Sequence, residues 1–599
     1  MRMLKPTTDR LDYSQMLAPP AGYETVFAVG TTYSLDLDAL IGISIALGLS
    51  ESVDSELKDN PIYLLEALQK TADKVIVFCE AGQIKAPPHA HALHILLEKM
   101  VFEIVMKNKK SFHPKFWLVK YENANGEELY RCLVLSRNLT FDRSWDVAAC
   151  LEGRTKIDGR LKAGYESSRP VSDFLQEVLK LAKRNEINPA KRRALARLAN
   201  DILNVKFEFD EKQFSDYCFC PVGIDGYDIA RTGLLNTYHE LFIISPFLSD
   251  GCINDFNKLA LTNPNRNTII TRKSELAKLK PNSATNFDVF VMKDMIVDGE
   301  EALSEGDSDV VSLEKQKQDI HAKVYLKTKY SDSELYLGSL NASNNACYGN
   351  VEFILKLYNK KRHLNVEQLK KDVFGDNEKD NPFEKIELKA QGELDQTEDE
   401  NLNKLIKEIC RLKSYAKVSD CDNKYSLEVI FEKIPEISNV YISPLLSNRE
   451  QKLSEMIVFS ELNLLQLSEF YVIRAISGDD SVKRVIKIKT DNIPEARESA
   501  VVNSVIKDKN GFIQYITFLL GDDYLLSLLE NNTMATGSFV FGSGEVIPAL
   551  YEKMLKAAAH SPQKFDEIKR LLELISDSSI IPEGFRELYE IFQKAVSKK

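Results

Sequence analysis

The sequence predicts an α/β protein with two similar layered halves, a linker and a C-terminal region that passes from α/β to mainly helical. Two observations support this fold class. Short apolar strands alternate with helical segments through the first two thirds of the chain, a pattern typical of sheets covered by helices. A pattern of His-x-Lys followed by Ser and Asn also occurs twice, once at 113–138 and once at 321–341. The repeat predicts that each half contributes the same part of one site.

Residues 1–205 are predicted to form the first half. Buried strands are short and rich in β-branched and aromatic residues, and the runs that fit this description lie at 25–29, 75–79, 116–119 and 133–135. Longer segments with apolar residues at helical spacing predict helices, and these lie at 35–49, 63–74, 94–105, 171–184 and 190–203.

Residues 206–372 are predicted to form the second half. Its apolar strands lie at 241–244, 268–271, 287–291, 324–326 and 335–337. The stretch 298–318 is acidic and lacks aromatic residues, which predicts a loop just before the second motif.

A polar tract at 373–400 is interpreted as a linker, and residues 401–599 as an accessory domain. The segment 440–447 repeats the strand and Ser-Pro-x-Leu-Ser pattern of 243–249, which raises the hypothesis of a degenerate third unit. Helices are predicted at 511–520, 546–558, 565–575 and 584–596. The glycine-rich stretch 537–544 lacks the spacing and Lys of a phosphate-binding loop and is interpreted as a turn.

Composition narrows the class of protein. The chain has 599 residues, 44% of them hydrophobic and 28% charged, as in ordinary globular proteins. It has no apolar stretch long enough to cross a membrane and no signal peptide, so a cytoplasmic location is expected. Its nine scattered cysteines predict neither a disulfide framework nor a structural zinc site. The net charge of −11 argues against a uniformly basic nucleic-acid coat but permits a local cationic groove.

The two motifs carry the candidate site residues. His113 and Lys115 are predicted to lie on one buried strand, and His321 and Lys323 on another, because an apolar run follows each pair. Side chains two positions apart on a strand share a face, so each pair is expected to point into one pocket. A second strand in each half ends at the motif asparagine, Asn138 or Asn341. Together these residue types offer a nucleophile, a proton donor and a ring of cationic and amide donors around a phosphate.

With these residues, the chain resembles the phospholipase D superfamily, whose members carry H-x-K and a downstream G-S-x-N twice. The second copy, with Gly338, Ser339 and Asn341, matches better. The first copy is similar to the tyrosyl-DNA phosphodiesterase branch but has Leu135 in place of the Gly. Both copies lack the Asp of a full HKD motif, a position that falls on Lys120 and Thr328.

The resemblance implies a phosphohistidine mechanism without metal or other cofactor. His113 would attack phosphorus and His321 would protonate the leaving oxygen, while Lys115, Lys323, Asn138 and Asn341 would hold the phosphoryl oxygens. Ser136 and Ser339 belong to the same motifs, and Asp146 and Glu352 are candidates for fixing a histidine tautomer in the opposite half.

The function predicted first is a nuclease or other nucleic-acid phosphodiesterase, with DNA favoured over RNA. A role in bacterial restriction or anti-phage defence is an implication of the resemblance alone. The alternatives are a phospholipase-type lipid hydrolase and a scaffold that retains the fold without catalysis, or that acts only with a partner. No membrane surface is evident, residues 401–599 are a candidate partner surface, and the sequence leaves the oligomeric state open.

The sequence holds three further clusters of histidine or basic residues. His89, His91 and His94 lie close in sequence, but no cysteine or carboxylate stands beside them, so a loop is favoured over a metal site. The basic segment 107–115 runs into the first motif and is a candidate for attracting phosphate. The basic segment 191–197 is interpreted as a solvated helix face.

Overall fold

The computed structural model describes residue 4 and residues 11–48, 60–108, 110–142, 144–155, 162–261, 267–280, 282–293, 319–375, 381–388, 398–422, 424–434, 439–478, 480–520 and 546–596. The predicted α/β class is confirmed by an alternation of strands and helices around mixed sheets. The predicted loop at 298–318 and the glycine-rich stretch at 537–544 lie outside the described residues.

The first half contains the predicted strands and several shorter ones. Its strands are β1 (Tyr23–Thr32), β2 (Leu35–Asp36), β3 (Val75–Glu80), β4 (Ile84–Lys85), β5 (Val101–Ile104), β6 (Phe116–Asn123), β7 (Glu128–Leu135), β8 (Ser144–Trp145), β9 (Ala148–Thr155) and β10 (Val205–Glu208). Its helices are α1 (Tyr13–Leu17), α2 (Leu37–Gly48), α3 (Pro61–Thr71), α4 (Lys162–Leu181) and α5 (Pro189–Asp201), with 3-10 turns at Ala92–Lys99 and Ile202–Asn204.

Seven strands within the described residues form the sheet of the first half, in the order β10-β9-β7-β6-β1-β3-β5. Strands β1, β3 and β5 run parallel and end at the β5 edge, and β6, β7, β9 and β10 continue the sheet as antiparallel strands. Every residue of β3 is buried, as expected for a parallel strand with both faces covered.

The second half repeats this arrangement. Its strands are β11 (Asp216–Val222), β12 (Glu240–Ile244), β13 (Asn267–Thr271), β14 (Phe287–Met292), β15 (Asp319–Ile320), β16 (Val324–Lys329), β17 (Asp332–Gly338), β18 (Glu352–Lys360) and β19 (Phe383–Ile386). Its helices are α6 (Ile229–Thr232), α7 (Asp250–Leu259), α8 (Asn344–Tyr348) and α9 (Val366–Phe374), with a 3-10 turn at Lys273–Lys278. The sheet order is β11-β18-β17-β16-β12-β13-β14-β19, so β12 corresponds to β1 and β16 to β6.

The two halves share one hydrophobic core. Phe116 of β6 lies 4.5 Å, centroid to centroid, from Phe353 of β18, and Phe353 lies 4.8 Å from Phe174 of α4. All three rings are fully buried. Burial of aromatic rings from both halves in one cluster fixes the sheets against each other.

The C-terminal region adds two sheets and a set of helices. Its strands are β20 (Ser414–Cys421), β21 (Lys424–Phe431), β22 (Val440–Pro444), β23 (Gln451–Lys452), β24 (Met456–Leu462), β25 (Phe470–Ser477), β26 (Asp480–Lys487) and β27 (Thr490–Asp491). Its helices are α10 (Glu398–Arg411), α11 (Ala496–Val505), α12 (Lys509–Leu520), α13 (Val546–His560), α14 (Lys564–Leu574) and α15 (Phe585–Val596), with 3-10 turns at Leu464–Gln466 and Ser578–Ile580.

This region is joined to the first half by both a sheet and a core. β26 pairs with β4, so strands β4 and β2 of the first half extend a sheet of the C-terminal region. Tyr515 of α12 is buried and donates a hydrogen bond to Glu66 of α3. The described part of the C-terminal region therefore packs on the first half through buried contacts.

Several predicted boundaries differ from the structure. The predicted helix 94–105 is wrong, because a 3-10 turn at Ala92–Lys99 gives way to β5. The predicted linker 373–400 contains β19, which pairs with β14. β22, the strand of the hypothesised third unit, is antiparallel to both of its neighbours and so lacks the parallel pairing of β12.

Among the described residues, no helix combines the length and apolar character needed to span a membrane.

Candidate active site

The two His-x-Lys motifs meet at the interface of the halves. The backbone N–H of His113 donates to the carbonyl of Val351 at 2.9 Å, and the N–H of His321 donates to the carbonyl of Trp145 at 2.9 Å. Each motif therefore lies beside a short segment of the opposite half that carries an acidic residue, Glu352 or Asp146. Short parallel pairings, β15 with β8 and Phe112 with Val351, hold these segments together.

Each histidine contacts a carboxylate of the other half. His113 Nδ1 lies 2.9 Å from Glu352 Oε2, and His321 Nδ1 lies 2.9 Å from Asp146 Oδ1. The imidazoles are nearly buried, with 12% and 13% of their side chains exposed. An Nδ1–H donated to a carboxylate fixes the tautomer and leaves the Nε2 lone pair unprotonated.

The motif serines hold the two carboxylates in place. Ser136 Oγ donates to Asp146 Oδ1 at 2.8 Å and accepts from the N–H of Val147 at 2.8 Å. Ser339 Oγ donates to Glu352 Oε2 at 2.5 Å and accepts from the N–H of Phe353 at 2.9 Å. Each serine thus orients, through an acid, the histidine of the opposite motif.

Gly338 explains why the second motif has a glycine where the first has Leu135. Its φ is 146°, a conformation that L residues rarely adopt, and a Cβ at this position would lie 2.4 Å from the carbonyl oxygen of Phe353. Leu135 has no such φ and pairs regularly with Ala148. The departure from the family pattern is therefore a local backbone difference.

Both motif lysines are fully buried. Lys115 Nζ lies 3.1 Å from His113 Nε2 and donates to the His113 carbonyl at 3.1 Å, and Lys323 Nζ donates to the His321 carbonyl at 2.6 Å. Burial lowers the pKa of Lys115 to about 8. Burial and the neighbouring charge of Lys115 lower the pKa of Lys323 well below its ordinary value. Two desolvated cations beside the imidazoles favour an anion at this point.

The asparagines occupy different environments. Asn138 is half-buried, and its Oδ1 accepts from the N–H of Ser34 at 3.5 Å. Asn341 is buried, and no residue of the described chain hydrogen-bonds to its Oδ1. A buried carbonyl oxygen without a donor is costly, so a ligand group that carries an N–H or O–H would relieve the penalty at Asn341 Oδ1.

Burial dominates the ionisation of the histidines. It lowers the pKa of His113 to about 4 and that of His321 to about 3, although Glu352 and Asp146 oppose this shift. Burial alone would raise the pKa of Asp146, but the hydrogen bond and charge of His321 bring it below the ordinary value. Both imidazoles are therefore neutral near pH 7 in the unliganded protein.

Sequence reasoning missed two hydroxyls that shape the site. Thr32 Oγ1 at the end of β1 accepts from the N–H of Leu139 at 3.0 Å, and Ser245 Oγ just after β12 accepts from the N–H of Ala342 at 2.9 Å. Each hydroxyl holds the residue after a motif asparagine. The signal in the sequence was a Thr or Ser at the end of the central strand, which is too common to stand out.

Two charged residues at equivalent strand ends were also missed. Glu80 ends β3, and its Oε2 accepts from the N–H of Phe112 at 2.7 Å. Arg272 follows β13, and its Nε donates to the carbonyl of Ile320 at 2.8 Å. A charged side chain thus holds the residue before each motif histidine, and its charge is opposite in the two halves.

Asp38, His91 and His94 are the described residues whose donor atoms lie within 4.8 Å of one another and could hold a metal ion. Asp38 supplies the carboxylate that the sequence did not place beside the histidines. His94 Nε2 lies 2.8 Å from Asp38 Oδ1, and its Nδ1 accepts from the N–H of His91 at 3.0 Å. These hydrogen bonds occupy both nitrogens of His94, so the cluster is accounted for as a helix cap.

The predicted basic segments take different roles. Lys107 is exposed ahead of the first motif. Lys191 of α5 is buried and donates to the carbonyls of Val75 and Lys99, whereas Arg192 and Arg193 face solvent. The prediction of a solvated face therefore holds for Arg192 and Arg193 but not for Lys191, which packs inside the fold.

No family model and no curated protein matches this sequence. The structure is similar to that of yeast tyrosyl-DNA phosphodiesterase, with a TM-score of 0.34 and 12% identity over 60% of this chain and 89% of that chain. A mutant of that enzyme gives a TM-score of 0.33 and 13% identity, over 57% of this chain and 84% of that chain. Polyphosphate kinase from Porphyromonas gingivalis gives a TM-score of 0.29 and 13% identity, over 57% of this chain and 44% of that chain.

Proposed function

We propose that this chain is a metal-independent phosphodiesterase of the phospholipase D type, and that it is a nuclease. The observation that carries the proposal is the reciprocal pairing of His113 with Glu352 and of His321 with Asp146. Two imidazoles with the same tautomer, one from each half, supply the nucleophile and the proton donor of an in-line displacement.

In the first step, His113 Nε2 attacks phosphorus and a P–N bond forms as the bond to the leaving oxygen breaks. His321, which takes up a proton on Nε2 as the anionic substrate binds, gives that proton to the leaving oxygen. The charges of Lys115 and Lys323 stabilise the phosphoryl oxygens, and the side-chain amides of Asn138 and Asn341 hydrogen-bond to them. Glu352 stabilises the cationic His113 of the intermediate.

In the second step, His321 Nε2 removes a proton from water, and the water oxygen attacks phosphorus. The P–N bond breaks and the Nε2 lone pair returns to His113. The second step is the microscopic reverse of the first with water in place of the leaving group, so the same two imidazoles serve both.

The proposed substrate is a nucleic acid, with DNA favoured over RNA. The support is the similarity of the first motif to the tyrosyl-DNA phosphodiesterase branch and the two buried lysines, which suit a phosphodiester anion. The same resemblance points to a role in bacterial restriction or anti-phage defence.

The test is cleavage of labelled single- and double-stranded DNA and RNA in excess EDTA. Wild type and the control His363→Ala, which changes an exposed histidine of the second half, should cut one of these substrates. His113→Ala and His321→Ala should each lose activity by about 100-fold or more. Cutting that persists in both site variants, or that EDTA abolishes in wild type, would refute the mechanism.

A lipid phosphodiester is the second candidate, because a cavity with several apolar side chains in its wall adjoins the site. The cavity has a volume of about 580 Å³ and is lined by Tyr13, Ile43, Phe141 and Trp145 as well as by Asn138 and Asp146. Gly42 also lines it, and a Cβ there would meet nothing within 4 Å. For a lipid substrate, Gly42→Leu should fill the cavity and raise KM for phosphatidylcholine in mixed micelles. A variant that leaves lipid cleavage unchanged, or an enzyme that cuts only nucleic acid, excludes this candidate.

A further inference from the structure

One helix of the C-terminal region lies against the first catalytic motif. Lys407 of α10 places its Nζ 2.9 Å from Glu80 Oε1 and 2.9 Å from Ser111 Oγ. The same Nζ lies 5.4 Å from the centroid of the Tyr33 ring. Lys407 therefore contacts, in one place, the end of β3, the loop after β1 and the segment that leads into His113.

Glu80 and Tyr33 stand between Lys407 and the His113 imidazole. Glu80 is fully buried, and its other carboxylate oxygen accepts from the N–H of Phe112, next to His113. The Tyr33 ring lies 5.0 Å from the His113 ring, centroid to centroid, at an interplanar angle of 54°. A shift of either group would move the imidazole.

In the second half, the segment before the motif histidine is held by a residue of that half itself. Arg272, at the matching end of β13, donates directly to the carbonyl of Ile320, next to His321. The first half has a carboxylate at this position, and a buried carboxylate needs a cation. In the structure that cation comes from outside the half, from α10.

We propose that Lys407 is a positioning residue for His113, and that α10 of the C-terminal region is thereby part of the active site. This deepens the proposed function, because the group it positions is the proposed nucleophile. It also changes the interpretation of residues 401–599 as an accessory domain, since one of its helices sets the geometry of the catalytic step.

The physical reason is the charge of Glu80. Burial raises the pKa of this carboxyl, and Lys407, together with the Phe112 N–H and Arg411, opposes the rise. Arg411 Nη2 lies farther away, 3.6 Å from Glu80 Oε1. Without the Lys407 charge, Glu80 takes up a proton at a higher pH, its hydrogen bond to Phe112 weakens, and the backbone before His113 is released. Misplacement of a reacting group on the scale of an ångström costs about 100-fold in rate.

The test compares wild type with Lys407→Met and Lys407→Arg in the full-length protein. The matched control is Lys413→Met, which removes a lysine whose ion pair with Glu432 is exposed at the surface. The probe is bis(p-nitrophenyl) phosphate in excess EDTA over a pH series. We expect Lys407→Met to lower kcat by about 10- to 100-fold with little change in KM, and to move the acidic limb of the pH profile to higher pH. Lys407→Arg should keep most of the wild-type kcat and a nearly wild-type acidic limb. Lys413→Met should match wild type in both. A folded Lys407→Met variant with the kcat and pH profile of wild type would overturn the proposal.

A second readout does not depend on activity. In protein labelled with 15N-histidine, Lys407→Met should shift the imidazole nitrogen signals of His113 and leave those of exposed His363 in place. If wild type cleaves no phosphodiester, the proposed function fails, and this spectrum alone decides the positioning role: unchanged His113 signals overturn it. If Lys407→Met does not fold, Glu80→Gln takes its place, and wild-type kcat and unchanged His113 signals in that variant count equally against the proposal.

Discussion

In both His113 and His321, Nδ1 contacts a carboxylate, and Nε2 is the nitrogen assigned to the reaction. Their pKa values, about 4 and about 3, leave both rings neutral near pH 7. That state suits the nucleophile, but the general acid must carry a proton. A bound phosphodiester adds negative charge beside both rings and raises their pKa values, so the proton is expected to be taken up together with the substrate.

Lys115 should contribute to the alkaline limit of activity, together with Lys323, whose pKa is also lowered. Its pKa of about 8 means that it is charged below that pH and neutral above it. The stabilisation that it gives to the phosphoryl oxygens is therefore lost as pH rises through about 8, and kcat/KM should fall there. In Lys115→Arg the cation at this position persists to much higher pH, so the alkaline limb should lose the contribution of Lys115 and keep only that of Lys323, even if the maximal rate is lower. An identical alkaline limb in the variant would rule out Lys115 as its source.

Asp146 should matter far more than its neighbour Asp142. Asp146→Asn removes the negative charge beside His321 and replaces one carboxylate oxygen with an NH2 donor, and weakening such a partner costs about 10- to 100-fold. Asp142 accepts hydrogen bonds from Thr140 and Ser144 and contacts no histidine among the described residues. Asp142→Asn is therefore the matched control in measurements of kcat. Equal losses in the two variants would contradict the assigned role of Asp146.

The sequence predicted the His, Lys, Asn, Ser and acid positions because each repeats or follows a motif. The structure brings Glu352 to His113 and Asp146 to His321, from opposite halves. Thr32, Ser245 and Glu80 were not predicted, since a single hydroxyl or carboxylate at a strand end carries no pattern. Their importance depends on which backbone groups the fold places beside them.

Among the elements, β1 depends on a glycine. A Cβ on Gly30 would lie 2.6 Å from Trp117 Cζ2, and Trp117 is buried with its Nε1 donating to Tyr13 Oη at 2.7 Å. Gly30→Val should therefore lower the free energy of unfolding by about 1–3 kcal/mol through overpacking. Gly42→Ala in α2 is the control: it meets open space and should stabilise by about 0.5–1 kcal/mol. Denaturant unfolding of both variants gives the comparison, and a neutral Gly30→Val would contradict the packing described here.

Long apolar runs with clear ends were predicted well, as β3 and α2 show. The segment 94–105 was not, because a short apolar run has no decisive period, and β5 owes its strand state to pairing with β3. Two-residue strands such as β8 and β15 form through contacts between distant segments. β19 lies in a polar tract, and it forms a strand because it pairs with the edge of β14.

At the scale of the molecule, Phe174 joins the halves. It is fully buried between Phe116 and Phe353, so Phe174→Ala should cost about 3–5 kcal/mol of unfolding free energy. Because the cluster is shared, hydrogen exchange by mass spectrometry should show loss of protection in β6 and in β18 together. Loss confined to the first half would show that the halves unfold independently.

The C-terminal region shows the limit of sequence reasoning at this scale. Its helices were predicted, but the pairing of β26 with β4 and the contact of Lys407 with Glu80 were not. Both join residues that are several hundred positions apart, and a local pattern carries no information about such contacts.

The most direct measurement is to trap the covalent intermediate. With bis(p-nitrophenyl) phosphate the leaving group needs no proton, so His321→Ala should complete the first step and stall before hydrolysis. Peptide mass spectrometry of this variant in EDTA should find a phosphoryl adduct on His113, and His113→Ala should carry none. An adduct on His321 in the His113→Ala variant, or no histidine adduct in any of the proteins, would contradict the two-histidine mechanism.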